Sequence, residues 1–131
     1  LYAELLVSGP GLLRLYRHVC QLENTDAVLR TPGEVSTQAI AGDNAQCCTA
    51  LSIFCALLGE VSGNFVLANG AYDGLFLAGG ILPRMIPFLE RSTFHERFCG
   101  RTAMQRHLQA VPVHVITTPY PGLIGAAHAS L

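Results

Sequence analysis

The stretch Asp73-Gly74-Leu75-Phe76-Leu77-Ala78-Gly79-Gly80-Ile81-Leu82-Pro83-Arg84 constrains the fold most. A short apolar run meets two glycines and then a proline, the grammar of a strand that ends in a tight turn and opens a helix. Gly79 and Gly80 lack Cβ atoms, so a flat ring or a phosphate could approach the main chain there. The start of the following helix would add unpaired N–H groups and a positive dipole end. The same pattern also serves as an ordinary connection in any α/β domain, so the rest of the chain must decide its meaning.

The flanking segments organise around it. Glu4–Val7 reads as a short strand, and Ser8-Gly9-Pro10-Gly11 as a turn that starts a helix. Leu12, Leu15, Tyr16 and Val19 then recur at helical spacing, with Arg14, Arg17 and His18 elsewhere on the wheel. Residues 23–30 form an exposed connection. Thr31-Pro32-Gly33-Glu34 is a helix-start signal, and a short helix over Val35 to Ala41 breaks at Gly42-Asp43-Asn44, where Asp43 or Asn44 could cap the next one. In that next helix Leu51, Phe54, Cys55, Leu58, Val61, Phe65 and Val66 form one face, expected to pack against a sheet. Gly59, Gly63 and Gly70 cost helix stability, and their spacing predicts close approach of another backbone. Beyond the Gly-Gly turn the pattern predicts a helix over Pro83 to Glu90, a second over Phe94 to Phe98, and a polar turn or helix from Gly100 to Ala110. A strand over Val111 to Ile116, a loop over Thr117 to Pro121 and a closing helix over Gly122 to Ala129 follow. Helices alternating with a few strands specify an α/β domain.

Composition narrows the function. The 131 residues are 50% hydrophobic and 13% charged. So apolar a balance suggests surface covered by a missing domain or a second subunit, and a homodimer is compatible with it. Net charge is −1, and the eight basic residues are all scattered arginines, which argues against nucleic-acid binding. Cys20, Cys47, Cys48, Cys55 and Cys99 form no Cys-x-x-Cys pair and suit a reducing compartment, as buried small hydrophobes. Neither they nor His18, His95, His107, His114 and His128 have metal-site spacing, so no metal ligands are assigned. Ser8 lies outside any Gly-x-Ser-x-Gly motif, which discounts a hydrolase. No signal-peptide pattern is visible, and a start at Leu1 without Met suggests a longer reading frame. The apolar run from Cys48 to Leu82 is interrupted by Glu60, Asn64, Asn69 and Asp73, and reads as a buried helix and strand rather than a membrane span.

Four segments occur together in one order: Ala3-Glu4-Leu5-Leu6-Val7-Ser8-Gly9-Pro10-Gly11-Leu12, Leu51-Ser52-Ile53-Phe54-Cys55, Leu77-Ala78-Gly79-Gly80-Ile81-Leu82-Pro83-Arg84, and Pro121-Gly122-Leu123-Ile124-Gly125-Ala126-Ala127. In this the chain resembles the carboxy-terminal part of bacterial glucokinases, hexokinase-type sugar kinases of the actin-like ATPase superfamily, from Glu4 to His128. The resemblance implies one domain over residues 1–131, the C-terminal half of an actin-like (ribonuclease H-like) fold with few strands packed by several helices. It implies that Glu4 contacts glucose hydroxyls, that Gly79 and Gly80 pack against the adenosine of ATP, and that magnesium assists phosphoryl transfer in a cytoplasmic glycolytic enzyme. A carboxylate suits the sugar role, because it accepts two neighbouring hydroxyl hydrogen bonds at once. Gly9, Pro10 and Gly11 fit a structural turn, and Gly122 and Gly125 a helix start near the nucleotide side. The family's Asp-x-Gly-Gly-Thr phosphate loop and its general-base aspartate are not in this chain. The base is therefore expected upstream of Leu1, and the chain alone is expected to be inactive. The alternative reading is a sugar-sensing module of related kinase-like regulators, and a purely structural domain is the third.

Overall fold

The computed structural model describes residues 2–100 and 103–129. Three helices, each entered through a side-chain cap, make its N-terminal half. Helix α1 spans Gly9–Leu22, and the Ser8 hydroxyl accepts from the Gly11 N–H at 3.1 Å. Helix α2 spans Pro32–Ala41 behind a capping box: the Thr31 hydroxyl accepts from the Glu34 N–H, and the Glu34 carboxylate accepts from Thr31 N–H at 2.8 Å. These amides hold the Glu34 carboxyl below its usual range, the N–H of Arg30 contributing most. Helix α3 spans Ala45–Asn69 and is capped by Asn44, whose side chain accepts from Cys47 N–H at 2.9 Å. Each cap satisfies a donor that the helix cannot pair internally.

Helix α3 is the centre of the domain. Helices α1, α2 and α5 (Phe94–Cys99) pack on it, around Leu12, Tyr16, Val35, Leu51, Phe54 and Phe98. By length and composition α3 could cross a membrane, but a stripe from Cys47 to Val66 is buried beneath these helices. The sheet expected against α3 is not its main neighbour; its principal contacts are helical. Two of its expected close approaches are real. A Cβ on Gly59 would collide with the Phe94 carbonyl oxygen, and one on Gly63 with that of Phe98. By drawing α5 onto the Gly59–Gly63–Val66 side, these glycines turn Val61 half out and leave Phe65 60% exposed, contrary to the face read from spacing. Gly70 makes no such approach, but caps α3 in the left-handed conformation at φ +62, a normal helix ending.

The sheet is small. Strand β1 (Leu75–Leu77) pairs in parallel with β2 (Val113–Val115), Leu75 opposite Val113 and Leu77 opposite Val115. A parallel pair needs a long crossover, which runs through a 3₁₀ turn at Leu82–Arg84, α4 (Ile86–Arg91), α5 and α6 (Gln105–Gln109). Both strands are shorter than the stretches Gly74 to Ala78 and Val111 to Ile116 read from the sequence, and β1 is not fully buried: Phe76 is exposed and stacks on His114 at 5.1 Å. The helix expected over Pro83 to Glu90 is divided into the 3₁₀ turn and the six-residue α4, because Pro83 and Pro87 cannot donate interior helical hydrogen bonds. The chain closes with α7 (Pro121–His128), which has no buried residue.

The strand expected over Glu4–Val7 is instead a 3₁₀ turn at Ala3–Leu5. The amides of Leu5, Leu6 and Val7 donate back to the carbonyls of Tyr2 and Ala3, and Arg14 Nη1 donates to the Leu5 carbonyl at 2.9 Å. Among the described residues the sheet is β1 and β2 alone. Without a strand beside it, this segment satisfies its backbone groups locally. The domain is thus a helix-rich mixed fold with one small parallel pair.

Candidate functional site

The carboxyl ends of two parallel strands lie side by side at one edge of the domain. Residues that leave β1 and residues that leave β2 enclose a cleft of about 640 Å³. The first loop contributes Ala78, Gly79, Gly80, Pro83 and Arg84, and the second Ile116 to Pro121. Clefts outside the carboxyl ends of parallel strands are the preferred ligand positions of α/β sheets.

A Cβ added to Gly80 would meet nothing within 4 Å, and one on Gly79 would only touch Leu82 at 3.7 Å. The cleft therefore has an open main-chain wall at Gly80 that the domain's own packing does not fill. Among the described residues Arg84 is the one charged residue of the lining, and no carboxylate accompanies it. The electrostatics favour an anion over a cation. Thr117 and Thr118 add hydroxyls, and Tyr120 an aromatic ring. The expected helix N-terminus at the glycines is absent, since only the 3₁₀ turn follows them.

Glu4 and the glycines are not brought into one cleft. Glu4 is exposed on the 3₁₀ turn and does not line the space around Gly79 and Gly80. A chain of close contacts nevertheless links the two regions. Gly11 admits the Leu6 main chain so closely that a Cβ would collide with it, and a Cβ on Gly9 would lie 3.6 Å from Ile81 Cδ1. The glycine-rich start of α1 thus wedges between the turn bearing Glu4 and the loop following Gly80, a structural role as expected. Gly122 and Gly125 lie on the exposed α7 with open space around them. Arg84, Thr117, Thr118 and Tyr120 were not singled out in the sequence. The signal that could have found them is their place directly after the strands.

Among the described residues no group of three His, Cys, Asp or Glu side chains could hold a metal. Cys20, Cys47, Cys55 and Cys99 are buried, and burial raises the Cys47 and Cys55 thiols to about 11. The Cys47 and Cys55 thiols are neutral, inert core groups. A second hollow of about 390 Å³, where Glu60, Asn64, Glu96 and Arg97 meet, contains neither Glu4 nor any residue of the Gly79–Gly80 cleft.

Comparison with known proteins gives the family. A family model described as Glucokinase matches residues 1–131. Glucokinase from Psychromonas ingrahamii is 40% identical over 124 residues, covering 95% of this chain and 39% of the relative. Glucokinase from Chromobacterium violaceum is 44% identical over 124 residues, covering 95% of this chain and 36% of the relative. The crystal structure of a glucokinase from an Antarctic psychrotroph superimposes with a TM-score of 0.83 at 39% identity, over 95% of this chain and 38% of that one. The chain thus spans less than two-fifths of the length of these relatives. With the family model matching along its whole length, the chain belongs to the glucokinase family.

Proposed function

We propose that this chain is the carboxy-terminal part of an ATP-dependent glucokinase, a cytoplasmic enzyme that phosphorylates glucose to glucose 6-phosphate for glycolysis. Its fold is then the C-terminal half of an actin-like ATPase, residues 1–131 forming one domain that closes against an upstream domain, and a homodimer is compatible with its exposed apolar residues. The observation that carries this reading is the cleft joining Gly79–Gly80 to the 117–121 loop at the carboxyl ends of β1 and β2. Its open main chain at Gly80 and single Arg84 charge suit a nucleotide. ATP supplies the phosphoryl group, and this chain's part is to bind and orient its adenosine end. Glu4, exposed on the neighbouring turn, is the sugar contact, accepting two glucose hydroxyls.

The described residues of this cleft do not fit magnesium, because none of them is a carboxylate. No step is therefore assigned through the metal here, and the catalytic base belongs upstream of Leu1. The sugar-sensing alternative has no support from these relatives, which carry the name glucokinase.

Coupled-assay kinetics on the full-length protein test the reading. Gly80→Val, filling the open wall, is expected to raise the KM for ATP and spare that for glucose. Glu4→Gln is expected to do the reverse. A folded Gly80→Val enzyme with unaltered ATP KM would remove the nucleotide assignment, and a full-length protein unable to phosphorylate hexoses would remove the enzyme.

A further inference from the structure

Tyr120 occupies the cleft in a conformation that its own sequence disfavours. Its backbone is left-handed, at φ 53 and ψ 48, which is uncommon for a bulky residue. Pro121 follows it, and the residue before a proline is ordinarily pushed toward extended geometry. The position is the N-cap of α7, yet the Tyr120 side chain makes no capping hydrogen bond. Neither turn formation nor capping accounts for an aromatic residue here. Pro119 and Pro121, each with a fixed φ, bracket it and limit the motion of its backbone.

Tyr120 lines the cleft and is nevertheless 75% exposed. It offers a flat apolar face in the same space as the open backbone of Gly80 and the charge of Arg84. A ligand complementary to this set has a flat heteroaromatic ring and an anionic tail. Building on the nucleotide reading of the cleft, we propose that the Tyr120 ring is the platform on which the nucleotide's base stacks, and that it sets the preference for purine over pyrimidine nucleotides. The larger purine covers more of the ring, so its loss weakens purines more. Arg84 attracts the phosphate end, and Gly80 leaves room for the base.

Initial-rate kinetics on the full-length enzyme, with ATP and CTP as donors, test this. Tyr120→Ala is expected to raise the ATP KM by roughly 5- to 150-fold, the range for removing one base–aromatic stack. The glucose KM holds, and the ratio of kcat/KM for ATP over CTP falls. Tyr120→Phe, which keeps the ring, recovers both the ATP KM and the ratio. Tyr120→Leu replaces the alanine variant if that fails to fold. An unchanged ATP KM and ATP/CTP ratio in a ring-less variant, with Gly80→Val still raising the ATP KM, overturns the stacking role and leaves the nucleotide reading standing. An unchanged ATP KM in Gly80→Val as well overturns both.

Discussion

Replacing Gly59 by alanine should destabilise this domain even though alanine is the better helix former. In an exposed helix interior the exchange would stabilise by about 1 kcal/mol. At Gly59, however, the new Cβ runs into the Phe94 carbonyl oxygen and lies 3.1 Å from the Phe98 nitrogen. Both obstacles are main chain, so no rotamer change relieves them, and α5 must move away from α3. That movement loosens Phe54, Leu58, Phe94 and Phe98, all buried in the core. Overpacking costs about 1–3 kcal/mol, and a backbone obstacle places this site at the upper end. Against the propensity gain, the net loss is about 2 kcal/mol, equivalent to a fall of about 7 °C in Tm for a domain of this size. Gly33→Ala is the matched control: its Cβ would meet nothing within 4 Å, so it should hold or raise stability. Urea unfolding with both variants measures the contrast. Because the obstacle is a carbonyl, truncating Phe98 to alanine should not rescue Gly59→Ala. A neutral or stabilising Gly59→Ala, or its rescue by that truncation, would refute the reasoning.

Three further outcomes are expected. Asn44→Ala removes the acceptor of the Cys47 amide and should cost about 1 kcal/mol, seen as a lower urea midpoint with unchanged slope. Glu34 has a lowered carboxyl pKa from its amide hydrogen bonds. Its contribution is present above the unfolded carboxylate pKa and is lost as pH falls through the lower folded value. Glu34→Gln should therefore be less stable than the parent near neutrality, and the gap should narrow in acid titrations followed by circular dichroism. The Cys47 and Cys55 thiols, raised to about 11 by burial, have the opposite sign. Their contribution is present below the unfolded thiol pKa and is lost as pH rises toward 11. At pH 8 both should resist iodoacetamide until the protein unfolds, which mass spectrometry of the labelled peptides would show.

Local chemistry was legible where it is short-ranged. Ser8, Thr31 and Asn44 cap helices because each presents an oxygen to amides two or three residues on, a relation that needs no distant partner. The buried stripe of Leu12, Leu15, Tyr16 and Val19 follows from helical spacing alone. Gly59 and Gly63 announced a close approach because a pair four residues apart leaves a flat strip on one helix face. Sequence reading nevertheless placed Phe65 inside, since the direction from which α5 arrives is not written in the spacing of α3. Likewise Glu4–Val7 has the residues of a strand, but a strand exists only by hydrogen bonding to a neighbour.

The candidate site divides along the same line. Gly79 and Gly80 stand out in the linear sequence because two adjacent glycines after an apolar run permit a turn and close approach wherever they occur. Thr117 and Tyr120 could not be joined to them from the chain alone, because more than 30 residues separate the two loops. Parallel pairing of β1 with β2 aligns the strands' carboxyl ends and makes neighbours of the loops that leave them. Caps, turns and the buried stripe of α1 follow from relations within a few residues, whereas the outward turn of Phe65 on α3, the cleft, the exposure of Tyr120 and the fate of the Glu4 segment depend on which distant segments come to lie beside them.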